Sequence, residues 1–88
     1  GRVAPARELL GELLMELKQP ALALVEFERS QVREPNRFRG MAGAALAAEA
    51  SGDSAKARLL YARLLELARD ADSPRPELAR AKAYLGAS

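Results

Sequence analysis

The chain has no cysteine, no histidine and no tryptophan, and only two phenylalanines and two tyrosines among its 88 residues. Without cysteine there is no disulfide framework, no thiolate nucleophile and no zinc–thiolate centre, a composition compatible with any redox compartment. Without histidine the usual general base is missing too. Valine and isoleucine are too scarce for a sheet, and no segment alternates with period two. The longest apolar run, Met41 to Ala48, is far too short to span a bilayer. No secretory leader is visible. The chain begins at Gly1 without an initiator methionine, which reads as a piece excised from something longer, so a leader could have been lost and the compartment stays open.

An excess of one charge is also missing. Fourteen basic residues face twelve acidic ones, for a net charge of +2. The pI of 9.4 reflects arginine-rich chemistry on a nearly balanced chain, and long-range attraction to nucleic acid or an anionic membrane should be weak. Catalysis has little to work with. The serines (Ser30, Ser51, Ser54, Ser73, Ser88) lie in no nucleophile motif. No phosphate-loop or metal-ligand spacing appears. The sequence therefore predicts no enzyme activity, no cofactor and no metal site.

What is present is alanine and leucine, which supply most of the 49% hydrophobic content and carry little helix penalty. The spacing predicts an all-α domain of five helices. The first covers about Pro5 to Leu17, with Ala6, Leu9, Leu10, Leu13, Leu14 and Leu17 as its apolar stripe. Pro20 suits the first turn of a second helix, to about Arg33, which turns Ala23, Leu24, Phe27 and Val32 toward its neighbour. After the Glu34-Pro35-Asn36 break, with Asn36 as N-cap, a third helix spans about Arg37 to Ala50 and buries Phe38, Met41, Ala42, Ala45, Leu46 and Ala48. Gly52 is placed as a left-handed C-cap and Asp53 or Ser54 as the next N-cap. A fourth helix, about Ser54 to Arg69, carries Ala57, Leu60, Tyr61, Leu64, Leu65 and Ala68 on one face. Following the polar turn from Asp70 to Pro76, a fifth helix (about 74–85) presents Leu78, Ala81, Tyr84 and Leu85, and residues 86–88 read as a frayed tail.

Sliding the chain 34 residues along itself sets Ala23 on Ala57, Phe27 on Tyr61, Gly11 on Ala45, Leu10 on Ala44 and Val25 on Leu59. A fixed period of this length is the signature of a helical repeat. Small residues at Gly11, Ala23, Ala45 and Ala57 allow two helices to approach closely, while Phe27 and Tyr61 fill the wider space between pairs.

These residues resemble the tetratricopeptide repeat, a 34-residue helix pair. Leu10-Gly11, Ala23, Phe27 and Pro35 fall at the signature spacing of the first unit, and Ala44-Ala45, Ala57 and Tyr61 in the second. Arg69 stands where the closing proline belongs, and Arg7 where tryptophan is common. The resemblance covers about Pro5 to Asp70, as two units (5–35 and 37–70) of an α–α superhelix. The fifth helix looks like the family's terminal capping helix. The whole is similar to the C-terminal end of larger bacterial tetratricopeptide proteins. Two units are fewer than the three normally needed to close such a core, and the first pair lacks cover on its N-terminal side. Either upstream units or a second copy of the chain would supply it.

The resemblance implies a protein–protein interaction module whose concave groove is lined by the first helix of each pair. The groove candidates are Glu8, Glu12, Met15 and Glu16 on the first helix, and Arg39, Ala42, Leu46 and Glu49 on the third. Read from the residues alone, Glu8, Glu12 and Glu16 at four-residue steps are rather a solvated acidic face beside Arg7 and Lys18, and it is the resemblance that brings the groove reading level with it. Some relatives clamp a C-terminal carboxylate with lysine and asparagine, but Glu8 and Glu12 occupy those positions here. A basic or mixed peptide is then the better guest. The alternative role is purely structural, as a cap or self-association element of a longer solenoid. Arg33, Arg37 and Arg39 cluster at the Pro35 turn with only Phe38 nearby, a pattern of solvated loop arginines rather than a nucleic-acid site.

Overall fold

The computed structural model describes residues 6–35, 37–69 and 75–87. Five helices follow one another: α1 (Ala6–Glu16), α2 (Pro20–Arg33), α3 (Phe38–Ser51), α4 (Ser54–Leu67) and α5 (Pro76–Ala87), with no strand among the described residues. Each packs on the next, and α1 also meets α3. Connections of two or three residues between α1 and α2 and between α3 and α4 reverse the chain, so partners in each hairpin lie antiparallel.

The 34-residue offset recurs in the backbone. Shifting α2 (Pro20–Arg33) by 34 gives the bounds of α4 (Ser54–Leu67). Among the described residues, the two with positive φ are Lys18 (63°) and Gly52 (89°), also 34 apart. In the first turn Lys18 N–H donates to the Met15 carbonyl and Gln19 N–H to that of Leu14; in the other Gly52 N–H donates to Glu49 and Asp53 N–H to Ala48. Both are Schellman closures, in which one left-handed residue satisfies the last helical carbonyls. Gly52 adopts that conformation without steric cost, whereas Lys18 adopts it against the preference of a residue with a Cβ. Asp53 then caps α4 by accepting from Lys56 N–H at 3.1 Å.

The core is alanine-rich, with Ala23, Ala44, Ala45, Ala47, Ala48, Ala57 and Ala81 fully buried around Phe27, Tyr61 and Leu64. Phe27 joins the hairpins. A Cβ on Gly11 would come within 2.8 Å of its ring, and one on Gly43 would come closer still. The ring thus sits between α1 and α3 only because both positions lack a side chain. Its burial contributes roughly 1.5–3 kcal/mol. Tyr61 does the corresponding work one unit on, with its ring 5.1 Å from that of Tyr84 on α5.

Several expectations are corrected. Of the expected leucine stripe at the start of the chain, Leu14 packs on the core, but Leu9, Leu10, Leu13 and Leu17 are 42–59% exposed, and α1 turns Glu8, Gly11 and Met15 inward beside Leu14. Val32 is 84% exposed, because five residues of helix rotate it about 140° from Phe27. Arg37, not Asn36, holds the N-cap position of α3; Asn36 itself lies outside the described residues, as do Pro5 and the turn at 70–74. The fourth helix ends at Leu67, short of Arg69, and α5 continues through Gly86 to Ala87 where a frayed tail was expected.

Candidate functional site

A cleft of about 420 Å³ opens where α1, α3 and the start of α5 converge. Its lining is apolar at Met15, Phe27, Phe38, Ala42, Gly43 and Leu46, and charged at Glu12, Arg39, Arg75 and Glu77. The Phe27 ring, admitted by the glycine at 43, lies beneath this lining and is itself buried. At the rim Glu12 accepts two hydrogen bonds from Arg39, from Nε at 2.7 Å and from Nη2 at 2.8 Å. This bidentate geometry fixes both side chains. The hydrogen bond to Glu12, and then its charge, push the Arg39 guanidinium above its ordinary pKa. Across the cleft the Arg75 guanidinium lies 4.3 Å from the centroid of the Phe38 ring, a cation–π contact that secures the beginning of α5 to α3.

Of the eight groove candidates, Glu12, Met15, Arg39, Ala42 and Leu46 line this cleft. The other three do not. Glu8 is fully buried. Its carboxylate accepts from Ser30 Oγ at 3.3 Å and pairs with Arg37 Nε at 2.9 Å. Gly40 provides room for it, since a Cβ there would stand 2.7 Å from Glu8 Oε2. Four-residue spacing does put Glu8, Glu12 and Glu16 on one face, but the end of α2 and the beginning of α3 close over the Glu8 end. A carboxylate enclosed in this way must be paired to stay charged. Glu16 is exposed outside the cleft.

Glu49 is committed to the α3–α4–α5 junction. It accepts from Tyr61 Oη at 2.7 Å and from Arg80 Nη2 at 2.9 Å. Burial, followed by this hydrogen bond, pushes the Tyr61 phenol up to about 12, with Arg80 pulling the other way. Because the folded state holds this proton more tightly than the unfolded chain, its contribution is complete below pH 10 and is lost as pH rises toward about 12. The parent protein should therefore lose more stability across that window than Tyr61→Phe, as read from urea midpoints at the two ends; equal losses would remove Tyr61 from the alkaline transition.

The arginines of the Pro35 turn are mostly paired. Arg37 bridges Glu8 and Glu34, and Arg39 holds Glu12, while Arg33 is exposed. Sequence reasoning missed Phe27, Phe38 and Gly43 as cleft lining, and with them Arg75, just before α5, and Glu77 in its first turn. Among the described residues no helix is long and apolar enough to cross a membrane. A scan of family models matches none to this chain, and neither the curated proteins nor the solved structures give a match.

Proposed function

We propose that this chain is a non-catalytic binding module of tetratricopeptide-like helix pairs, holding a peptide or protein segment in the cleft between α1, α3 and α5. The observation that carries this reading is the cleft's construction: an apolar floor contributed by separate helices, under a rim of two carboxylates and two guanidiniums. Such a surface suits a segment with one large apolar side chain flanked by charges of both signs, laid along the groove. The apolar anchor would supply most of the affinity by leaving water, and the rim would set register and orientation. Helices spaced at the repeat period, with the first member of each pair on the cleft side, support the same reading.

Selection from a displayed peptide library tests it. Enriched peptides should carry an aromatic or aliphatic anchor, and Leu46→Arg should weaken them at least about 30-fold by charging the floor. Thermal stability should change little, because Leu46 is only half-buried. No enrichment, or peptides that bind Leu46→Arg as well as the parent, would remove the cleft as the site.

A further inference from the structure

The outer face of the first hairpin is apolar, and none of its exposed leucines lines the cleft. Nine large hydrophobic side chains are exposed among the described residues, and six of them (Leu9, Leu10, Leu13, Leu17, Leu22 and Val25) fall within the first 25 residues. Shifted by 34, the five leucines correspond to Gly43, Ala44, Ala47, Ser51 and Lys56. Four of these five lie on the side by which the second hairpin meets the first: Ala44 and Ala47 are fully buried, Gly43 lies against Phe27, and Lys56 Nζ pairs with Glu28 of α2 at 2.6 Å, while Ser51 is exposed. The first hairpin presents the equivalent side with no element over it among the described residues.

The occupant differs, however, from another repeat of the same kind. The inner junction accepts a phenylalanine ring because position 43 has no Cβ. The first hairpin has Leu9 there, which fills the space such a ring would need. Leucines at these positions suit a surface of matching leucines, and we infer that this face pairs with the same face of a second copy of the chain. Leu10, Leu13 and Leu17 have the three-then-four spacing of a helix–helix seam. An antiparallel two-fold arrangement centred between Gly11 and Glu12 sets Leu10 against Leu13 of the other copy and brings Arg7, which pairs with Glu26 of its own chain at 3.2 Å, beside Glu16, so that the flanking charges are of opposite sign. Six side chains at 40–59% exposure amount to about 500 Å² per chain, near the upper end of the largest apolar patch a monomer carries. Two such faces together approach the roughly 1,000 Å² of a specific interface.

Sedimentation velocity of the 88-residue chain, from low to several hundred micromolar, tests the pairing. The expected species has twice the 9.5 kDa chain mass and dissociates on dilution. Leu10→Glu with Leu13→Glu should weaken association by more than about 100-fold through like-charge repulsion across the axis, with helicity retained because both side chains are solvent-exposed in the single chain. Leu17→Glu, in the turn after α1, carries the same expectation should the double variant lose helicity. Val32→Glu, at an exposed position outside the leucine face, should leave the dimer intact. A monomer at every concentration, or a dimer that survives the glutamates, overturns the inference. Loss of the dimer with peptide binding unchanged separates this surface from the cleft.

Discussion

Phe27→Ala is expected to cost about 3–5 kcal/mol, the usual range for removing a buried aromatic side chain. In a chain of this size a stability of about 5–10 kcal/mol is all there is to lose, so the midpoint of thermal unfolding should fall by at least about 12 °C. The magnitude follows from where the ring sits. It is 1% exposed and touches the backbone of both α1 and α3, at Gly11 and Gly43. No other side chain can occupy that site, because neither glycine can extend into the void. The loss should therefore be cooperative across both hairpins rather than confined to the first. A calorimetric scan checks this; a shift of only a few degrees would mean that the hairpins are joined by something other than the ring.

The second large effect concerns Glu8. Arg37→Leu removes the cation from a carboxylate with no exposed surface and leaves Ser30 Oγ as its hydrogen-bond donor. Breaking a buried pair from one side costs about 3–5 kcal/mol, whereas replacing the whole pair with apolar groups is often neutral. Arg37 is 38% exposed, so water can reach the remaining charge and the loss should come closer to about 2–3 kcal/mol. The triple variant Glu8→Met, Ser30→Ala, Arg37→Leu should recover most of it. In the 34-residue register Glu8 and Ser30 stand where the second unit has Ala42 and Leu64, both buried apolar residues, so the site tolerates an apolar filling one unit later. Chemical denaturation of the set gives the coupling energy. A triple variant less stable than Arg37→Leu would show that the polar trio stabilises the fold by more than its mutual neutralisation.

How much of this was legible in the sequence depends on the element. The bounds of α2 and the interior positions Ala23, Ala57, Phe27 and Tyr61 followed from period and offset, because close helix crossings admit few residue types. Gly52 and Asp53 announced their turn by chemistry. Lys18 did not, since lysine carries no left-handed signal; only its distance from Gly52 pointed to it. The leucines of α1 misled for a different reason. Periodicity reveals that a helix has an apolar face but not whether anything covers it, and the face that α1 buries carries a glutamate and a glycine. In the cleft, the family resemblance pointed to Glu12 and Leu46, which are 34 residues apart and both line it. The resemblance could not show that Glu8 and Glu49 are diverted, since each depends on a cation distant in sequence, Arg37 before α3 and Arg80 on α5.

The claim on which the rest depends is that the Phe27 ring is seated between two bare α-carbons, joining the hairpins and flooring the cleft. Proton NMR addresses it directly. The account predicts nuclear Overhauser contacts from the Phe27 ring protons to the α-protons of both Gly11 and Gly43, with ring-current shifts moving those α-protons well away from random-coil positions. Random-coil shifts at Gly43, with no contact to the ring, would contradict it.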